Sequence, residues 1–133
     1  MAIPSDVDLG QSLRLIRALN ALRVSRRYGP LPQVEAADVL AWQLVVEMQK
    51  RGNRPADPYG PVEVSTAKAR AAGFKNRRLF GYRAYKAGTE VNMLPRMWAR
   101  QIDVFGRDVL DSRVIYCGAA HQNRNYVLIF VAK

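Results

Sequence analysis

The chain has one cysteine and one histidine among its 133 residues, and this scarcity excludes several kinds of chemistry. Cys117 cannot form an intramolecular disulfide, which fits a reducing compartment, and its place in an apolar run predicts a buried, unreactive thiol. His121 lies in a turn-rich stretch and cannot alone supply the converging imidazoles or carboxylates that a metal site needs. We therefore expect His121 to be a solvated turn residue, and we expect no metal and no cofactor.

Long apolar runs and a leader pattern are also missing. No segment approaches the ~18 uncharged apolar residues of a membrane-spanning helix, so no transmembrane segment is predicted. The opening MAIPSDVDLGQ has no basic cluster followed by an apolar run and is not predicted to be a signal peptide. Together with the single cysteine, these features favour a cytoplasmic localisation or association with a virion or another assembly.

The motifs of common enzymes are not present either. The sequence contains no Walker loop, no nucleophile elbow and no Cys-His signature, and its glycines lie singly at helix ends and turns. The acidic residues have no spacing that would indicate a catalytic pair. We therefore predict that the protein is not an enzyme and that it has no small-molecule substrate.

Positive charge is what the chain has in excess. Its 21 lysines and arginines outnumber 11 acidic residues, for a formal net charge of +10. The positive electrostatic potential of such a chain favours anionic partners: nucleic acid, an acidic protein surface or anionic lipid. Net charge alone does not distinguish among these three.

The densest basic tract, KNRRLFGYRAYK, runs from Lys75 to Lys86. It interleaves aromatic rings with five cations, which form our candidate basic binding surface: Lys75, Arg77, Arg78, Arg83 and Lys86. Cations beside rings could bind phosphates while bases stack on the rings. The same residue types are favoured in protein interfaces, so an acidic protein could dock here. The simplest alternative is a strand with one packed side and one solvated basic side.

Hydrophobic spacing predicts the order of the elements. Helices are expected over about 9–28, 33–51 and 67–72, and a further helix is expected after an Asn92 cap. The proline-rich stretch 53–61 is predicted to be a loop, and 79–86 is predicted to be a strand. The apolar runs 114–117 and 126–131 flank HQNRN and predict an antiparallel hairpin.

The second hairpin strand shows no polar alternation, so both of its faces must be covered. Helices should therefore lie on both sides of the sheet. The expected fold class is α/β, as a three-layer α-β-α sandwich with the C-terminal hairpin in the sheet, and we expect residues 1–133 to form a single domain.

Several tracts resemble the CAP superfamily of cysteine-rich secretory proteins, antigen 5 and pathogenesis-related 1 proteins, particularly its bacterial members. These tracts are Asn20, Arg23, Gly29-Pro30-Leu31, the helix over 36–52, Lys68 to Phe74, Trp98 and Cys117-Gly118-Ala119. The resemblance implies an α-β-α sandwich with a cleft of two histidines and two acidic residues, which hold a divalent metal in some members.

The cleft residues do not match. The resemblance places the first histidine at Arg54-Pro55-Ala56-Asp57, the G-E-N tract at Gly81-Tyr82-Arg83 and the second histidine at Val104-Phe105-Gly106. None of these positions holds an imidazole, and Tyr82 replaces the acid. The resemblance therefore implies a degenerate CAP-like domain without its cleft chemistry.

From these observations we expect a non-catalytic structural or adaptor subunit of a larger assembly, such as a phage or virus particle. Its basic surface would bind an acidic protein neighbour, and neutralising Arg77, Arg78 and Arg83 together would abolish that binding. One alternative is a nucleic-acid-binding protein, whose affinity would fall steeply with salt. Another is a CAP-like cell-envelope or lipid-binding protein.

Overall fold

A computed structural model describes residues 10–51, 58–102 and 113–133. The helices in these ranges are α1 (Gly10–Ser25), α2 (Glu35–Arg51), α3 (Thr66–Ala71) and α4 (Leu94–Gln101), the last preceded by a 3-10 turn at Val91–Met93. The strands are β1 (Tyr59–Val62), β2 (Arg78–Ala84), β3 (Val114–Gln122) and β4 (Asn125–Ala132). No helix within these residues is long and apolar enough to cross a membrane.

The four strands form one antiparallel sheet in the order β1-β2-β4-β3. The C-terminal hairpin is therefore inside the sheet, as predicted, and every residue of β4 is buried. A two-residue turn joins β3 to β4, with Asn123 at φ 52° and Arg124 at φ 63°. Positive φ at both central residues is the geometry whose twist matches that of the flanking strands.

Helices cover both faces of the sheet, which confirms the three-layer α-β-α prediction. Alternate residues of β4 point to opposite sides, as the twofold repeat of a strand requires. One side packs with α1 and α4 around Leu128 and Phe130, and the other packs with α2 and α3 around Val127 and Ile129. The molecule thus has two apolar layers on either side of β4.

Two local predictions were wrong. The proline-rich stretch 53–61 is not entirely loop, because Tyr59–Val62 forms the edge strand β1. An edge strand tolerates Pro61, since one side of its backbone needs no ladder partner. Asn92 does not cap α4: it lies within the 3-10 turn, and neither that turn nor α4 has a side-chain cap. Residues 53–57 lie outside the described part of the chain.

Asn20 and Arg23 hold the connection between α1 and α2. The Asn20 side chain bonds the Leu31 backbone twice, with its Nδ2 donating to the carbonyl at 3.2 Å and its Oδ1 accepting the N–H at 2.8 Å. Arg23 is buried and donates from Nε to the Gly29 carbonyl at 2.8 Å. These residues, which carry much of the sequence resemblance, therefore fix the loop between the two helices.

Candidate functional site

The cleft position that the resemblance assigns to an acid is occupied by core packing. Tyr82 lies on β2 and is 1% exposed, with its ring centroid 6.2 Å from those of both Trp98 and Phe130. The Trp98 indole Nε1 donates to the Arg83 carbonyl at 3.1 Å, which ties α4 to the same strand. A phenol ring packed among aromatic rings replaces the carboxylate that a metal cleft would need at this point.

The other two cleft positions, 54–57 and 104–106, lie outside the described residues. Within 10–51, 58–102 and 113–133, no group of three or more His, Cys, Asp and Glu side chains is placed to hold a metal ion. The described part of the chain therefore offers no ligand set for a divalent cation.

His121 is not a solvated turn residue, so that prediction was wrong. It is the penultimate residue of β3, is half-buried, and has its ring centroid 4.5 Å from that of Tyr126. Its Nε2 accepts the Arg124 N–H at 3.2 Å. The reason for the difference is the length of the turn: only Asn123 and Arg124 form it, which leaves His121 paired in the ladder. These contacts give His121 a role in fixing the hairpin.

Cys117 is buried on β3, as predicted, and its environment opposes ionisation. Burial, assisted by the charge of Asp38, raises the pKa of the Cys117 thiol to about 12. Because the thiolate is the reactive form, the neutral thiol has little nucleophilic character at ordinary pH. Its sulfur lies 3.8 Å from the Leu31 carbonyl, so it packs against the loop that Asn20 holds.

The five cations of the predicted binding surface do not form one cluster. Lys75 and Arg77 lie in the loop before β2, and Arg78 begins that strand. Lys86 follows the other end of the strand, which spans roughly 20 Å at the usual rise per residue. Arg83 is half-buried near that far end. A linear tract of charge is thus divided between two ends of the molecule.

Two of the three cations at the start of β2, Arg77 and Arg78, line a recess to which Arg70 also contributes. This arginine recess has a volume of about 260 Å³ and is lined by Val64, Thr66, Ala69, Arg70, Phe74, Asn76, Arg77, Arg78 and Leu79. Its lining holds three arginines and no carboxylate. Arg78 also places its guanidinium 4.8 Å from the ring centroid of Phe80, a cation-π contact. Lys75 is exposed beside the recess and does not line it.

The end of α3 shapes this recess. Ser65 caps the helix by accepting the Lys68 N–H at 3.1 Å. At the other end, Gly73 at φ 94° donates to the Arg70 carbonyl and Phe74 donates to the Ala69 carbonyl. This pair of bonds is the Schellman motif, which turns the chain and brings Phe74 back over the helix. The turn places Arg70 beside Arg77, a neighbour that the linear tract did not include.

The rings of the basic tract lie in the core. Phe80 stacks on Phe130 at 5.3 Å between centroids, and Tyr82 and Tyr85 are both buried. Base stacking needs rings that present a face to solvent. The interleaved aromatic residues therefore do not support the nucleic-acid interpretation, and both sides of β2 are packed rather than one side being solvated.

The overall fold can be compared with solved structures. A cysteine-rich secretory protein from Staphylococcus aureus superposes with a TM-score of 0.71 at 19% identity, over 98% of this chain and 40% of that one. An extracellular SCP-domain protein from Bacillus anthracis gives 0.69 at 12% identity, over 100% and 45% of the two chains. An outer surface protein from Borrelia burgdorferi gives 0.68 at 12% identity, over 96% of both.

The chain has the CAP fold. At identities of 12–19% the likeness concerns the fold, and the chain spans less than half the length of the first two structures. No family model and no curated protein sequence matches the chain. The CAP resemblance and the α/β sandwich class are therefore both confirmed at the level of the fold.

The predicted cytoplasmic or virion-associated localisation was wrong. The CAP-fold structures above are of a secretory, an extracellular and an outer surface protein, which conflicts with that prediction. The single cysteine was overinterpreted, because a lack of disulfide pairs is compatible with a reducing compartment without requiring one. A domain of this size can bury enough apolar surface to be stable without cross-links.

Proposed function

We propose that this protein is a non-catalytic CAP-fold domain that acts outside the cell and binds an acidic protein partner through the arginine recess. The observation that carries the proposal is the lining of that recess, which includes Arg70, Arg77 and Arg78 and no acidic residue. The extracellular setting is taken over from the three CAP-fold structures, and Tyr82 in place of the cleft acid supports the non-catalytic part of the proposal.

The charges of the recess favour an anionic partner. Arg70 and Arg77 are exposed, and no carboxylate within the described residues pairs with either. Like charges held close together repel, and an incoming carboxylate relieves that repulsion while accepting bidentate hydrogen bonds from a guanidinium. Phe74 and Val64 add apolar surface, so a partner could bury a side chain as well as pair charges.

A protein partner is favoured over nucleic acid because Phe80, Tyr82 and Tyr85 of the basic tract pack in the core, which leaves Phe74 as the one ring that lines the recess. The recess instead combines arginine with a small apolar wall, which is the composition of protein interfaces. The two kinds of partner also differ in the expected effect of salt. The affinity for a protein held by a few charge pairs should fall moderately as the salt concentration rises, whereas the affinity for a nucleic acid held by many phosphate contacts should fall steeply.

The proposal is tested by titrating the protein with poly-L-glutamate in fluorescence anisotropy. Arg70→Gln combined with Arg77→Gln should weaken binding about fivefold, the effect expected from two exposed charge pairs. Arg17→Gln with Lys50→Gln is the matched control, because it removes two exposed cations from outside the recess. Equal weakening by the two double variants would show that only net charge matters and would contradict the proposal.

A further inference from the structure

A second basic groove lies on the other side of the sheet, between α1 and α4. It has a volume of about 440 Å³. The residues that line it, here called the α1–α4 groove, are Leu22, Ser25, Arg26, Met93, Arg96, Ala99 and Arg100. It is distinct from the arginine recess, since Leu22 and Ala99 pack on the α1/α4 core whereas Val64 and Phe74 pack on the α2/α3 core.

The groove combines a cationic rim with an aliphatic floor. Arg26, Arg96 and Arg100 are all exposed, and no aspartate or glutamate is among the lining residues. Within the described part of the chain, no ion pair engages these three guanidinium groups. Met93 is 40% exposed, so it offers apolar surface beside these charges. A ligand that fits this surface is both anionic and partly apolar.

The spacing of the cations matches an extended peptide. Arg96 and Arg100 are one helical turn apart, which separates them by about 6 Å along the axis of α4. Alternate residues of an extended chain are separated by about 6.6 Å. Two acidic residues at positions i and i+2 of such a segment can therefore each face one arginine, while Arg26 faces the segment from α1.

Other anionic ligands fit less well. No aromatic ring lines the groove, so a single-stranded nucleic acid would find no stacking platform. A membrane surface needs a continuous apolar face, whereas Met93 is the one exposed large apolar side chain among the residues that line the groove. Charge complementarity together with the small aliphatic floor favours a peptide.

We propose that the α1–α4 groove docks an acidic segment of a partner protein, with glutamates or aspartates on Arg26, Arg96 and Arg100 and an apolar side chain on Leu22, Met93 and Ala99. This inference does not depend on the arginine recess. It makes the domain a two-sided binder, with one acidic contact on each face of the sheet.

The test uses fluorescein-labelled peptides in an anisotropy titration against the full chain. The probe is a Glu-Leu-Glu-Leu-Glu peptide, and its controls replace every glutamate with glutamine or every leucine with serine. We expect the first peptide to bind and both replacements to weaken it. Arg96→Gln with Arg100→Gln should weaken binding roughly tenfold, which corresponds to the upper range of two exposed charge pairs.

One double variant serves as the control for that loss. Arg17→Gln with Lys50→Gln should leave peptide affinity within about twofold, because neither residue lines the groove. Unchanged thermal unfolding of both double variants shows that they are folded. The proposal is overturned if the groove variant binds the peptide as well as the control variant does. It is also overturned if anionic vesicles or an oligonucleotide, rather than the peptide, bind in a manner that needs Arg96 and Arg100.

Discussion

At the scale of single residues, the amino acids that make this chain resemble the CAP superfamily are structural ones. Asn20 and Arg23 hold the loop at Gly29 and Leu31 through side chain to backbone hydrogen bonds. Tyr82, at the position where the superfamily has a cleft acid, is a buried core residue. The chain therefore keeps the residues that build the scaffold while Tyr82 replaces one of those that would act in the cleft.

Asn20 provides the prediction at this scale. Asn20→Ala leaves the partly buried N–H and carbonyl of Leu31 without their side-chain partner, which should cost about 2 kcal/mol of unfolding free energy. The measurement is unfolding in urea, monitored by circular dichroism. Asn92→Ala is the matched control: Asn92 is exposed and caps no helix, so its loss should change stability by less than about 0.5 kcal/mol. A smaller loss for Asn20→Ala than for Asn92→Ala would contradict this account of the loop.

At the scale of elements, α2 packs closely against β3 at Gly118. A Cβ built on Gly118 would lie 2.4 Å from the backbone carbon of Ala37 and from the backbone nitrogen of Asp38. The Asp38 Oδ1 also accepts the Ala119 N–H at 2.9 Å, which links the helix to the strand. Backbone atoms cannot move aside as the end of a long side chain can, so only glycine fits at this crossing.

Gly118→Ala should therefore be strongly destabilising. Forcing a methyl group into this contact separates α2 from β3 and should cost about 3 kcal/mol or prevent folding. Gly88→Ala is its control, because nothing lies within 4 Å of a Cβ at that exposed position. Thermal unfolding compares the two variants. Similar midpoints for both would show that the helix and the strand are not packed as described.

The elements also show why some of the fold could be predicted and some could not. The run Tyr126 to Val131 has no polar residue, and a strand of that kind must be covered on both faces, so its central position followed from hydrophobicity alone. The edge strand Tyr59–Val62 contains glycine and proline, which are typical of turns. Pairing with β2 determines its conformation, and a local pattern contains no information about that pairing.

The candidate site was only partly predictable for a related reason. Arg77 and Arg83 are close in sequence, but an extended strand separates them, and the side of the sheet that each faces depends on register. Arg70 was missed because it lies on α3 and reaches the recess only through the turn at Gly73 and Phe74. A predicted Schellman turn before a basic strand was the signal that could have identified Arg70.

At the scale of the whole molecule, positive charge is organised on both faces of one sheet. The arginine recess lies on the α2/α3 side and the α1–α4 groove lies on the α1/α4 side, and each is lined by three arginines and no acid. A net charge of +10 accelerates encounter with any anionic surface, but it does not place arginines in two separate concavities. That arrangement fits an adaptor that contacts acidic surfaces on two sides.

The central claim is that the protein works by binding an acidic protein through the arginine recess. The most direct test is nuclease-treated capture from the surface and secreted fractions of the producing cells, followed by cross-linking and mass spectrometry. We predict that a partner is cross-linked through an aspartate- or glutamate-rich segment. Cross-linking of this partner should be lost in the Arg70→Gln/Arg77→Gln variant and retained in the Arg17→Gln/Lys50→Gln variant. A partner that nuclease releases, or that both double variants retain equally, would contradict the account.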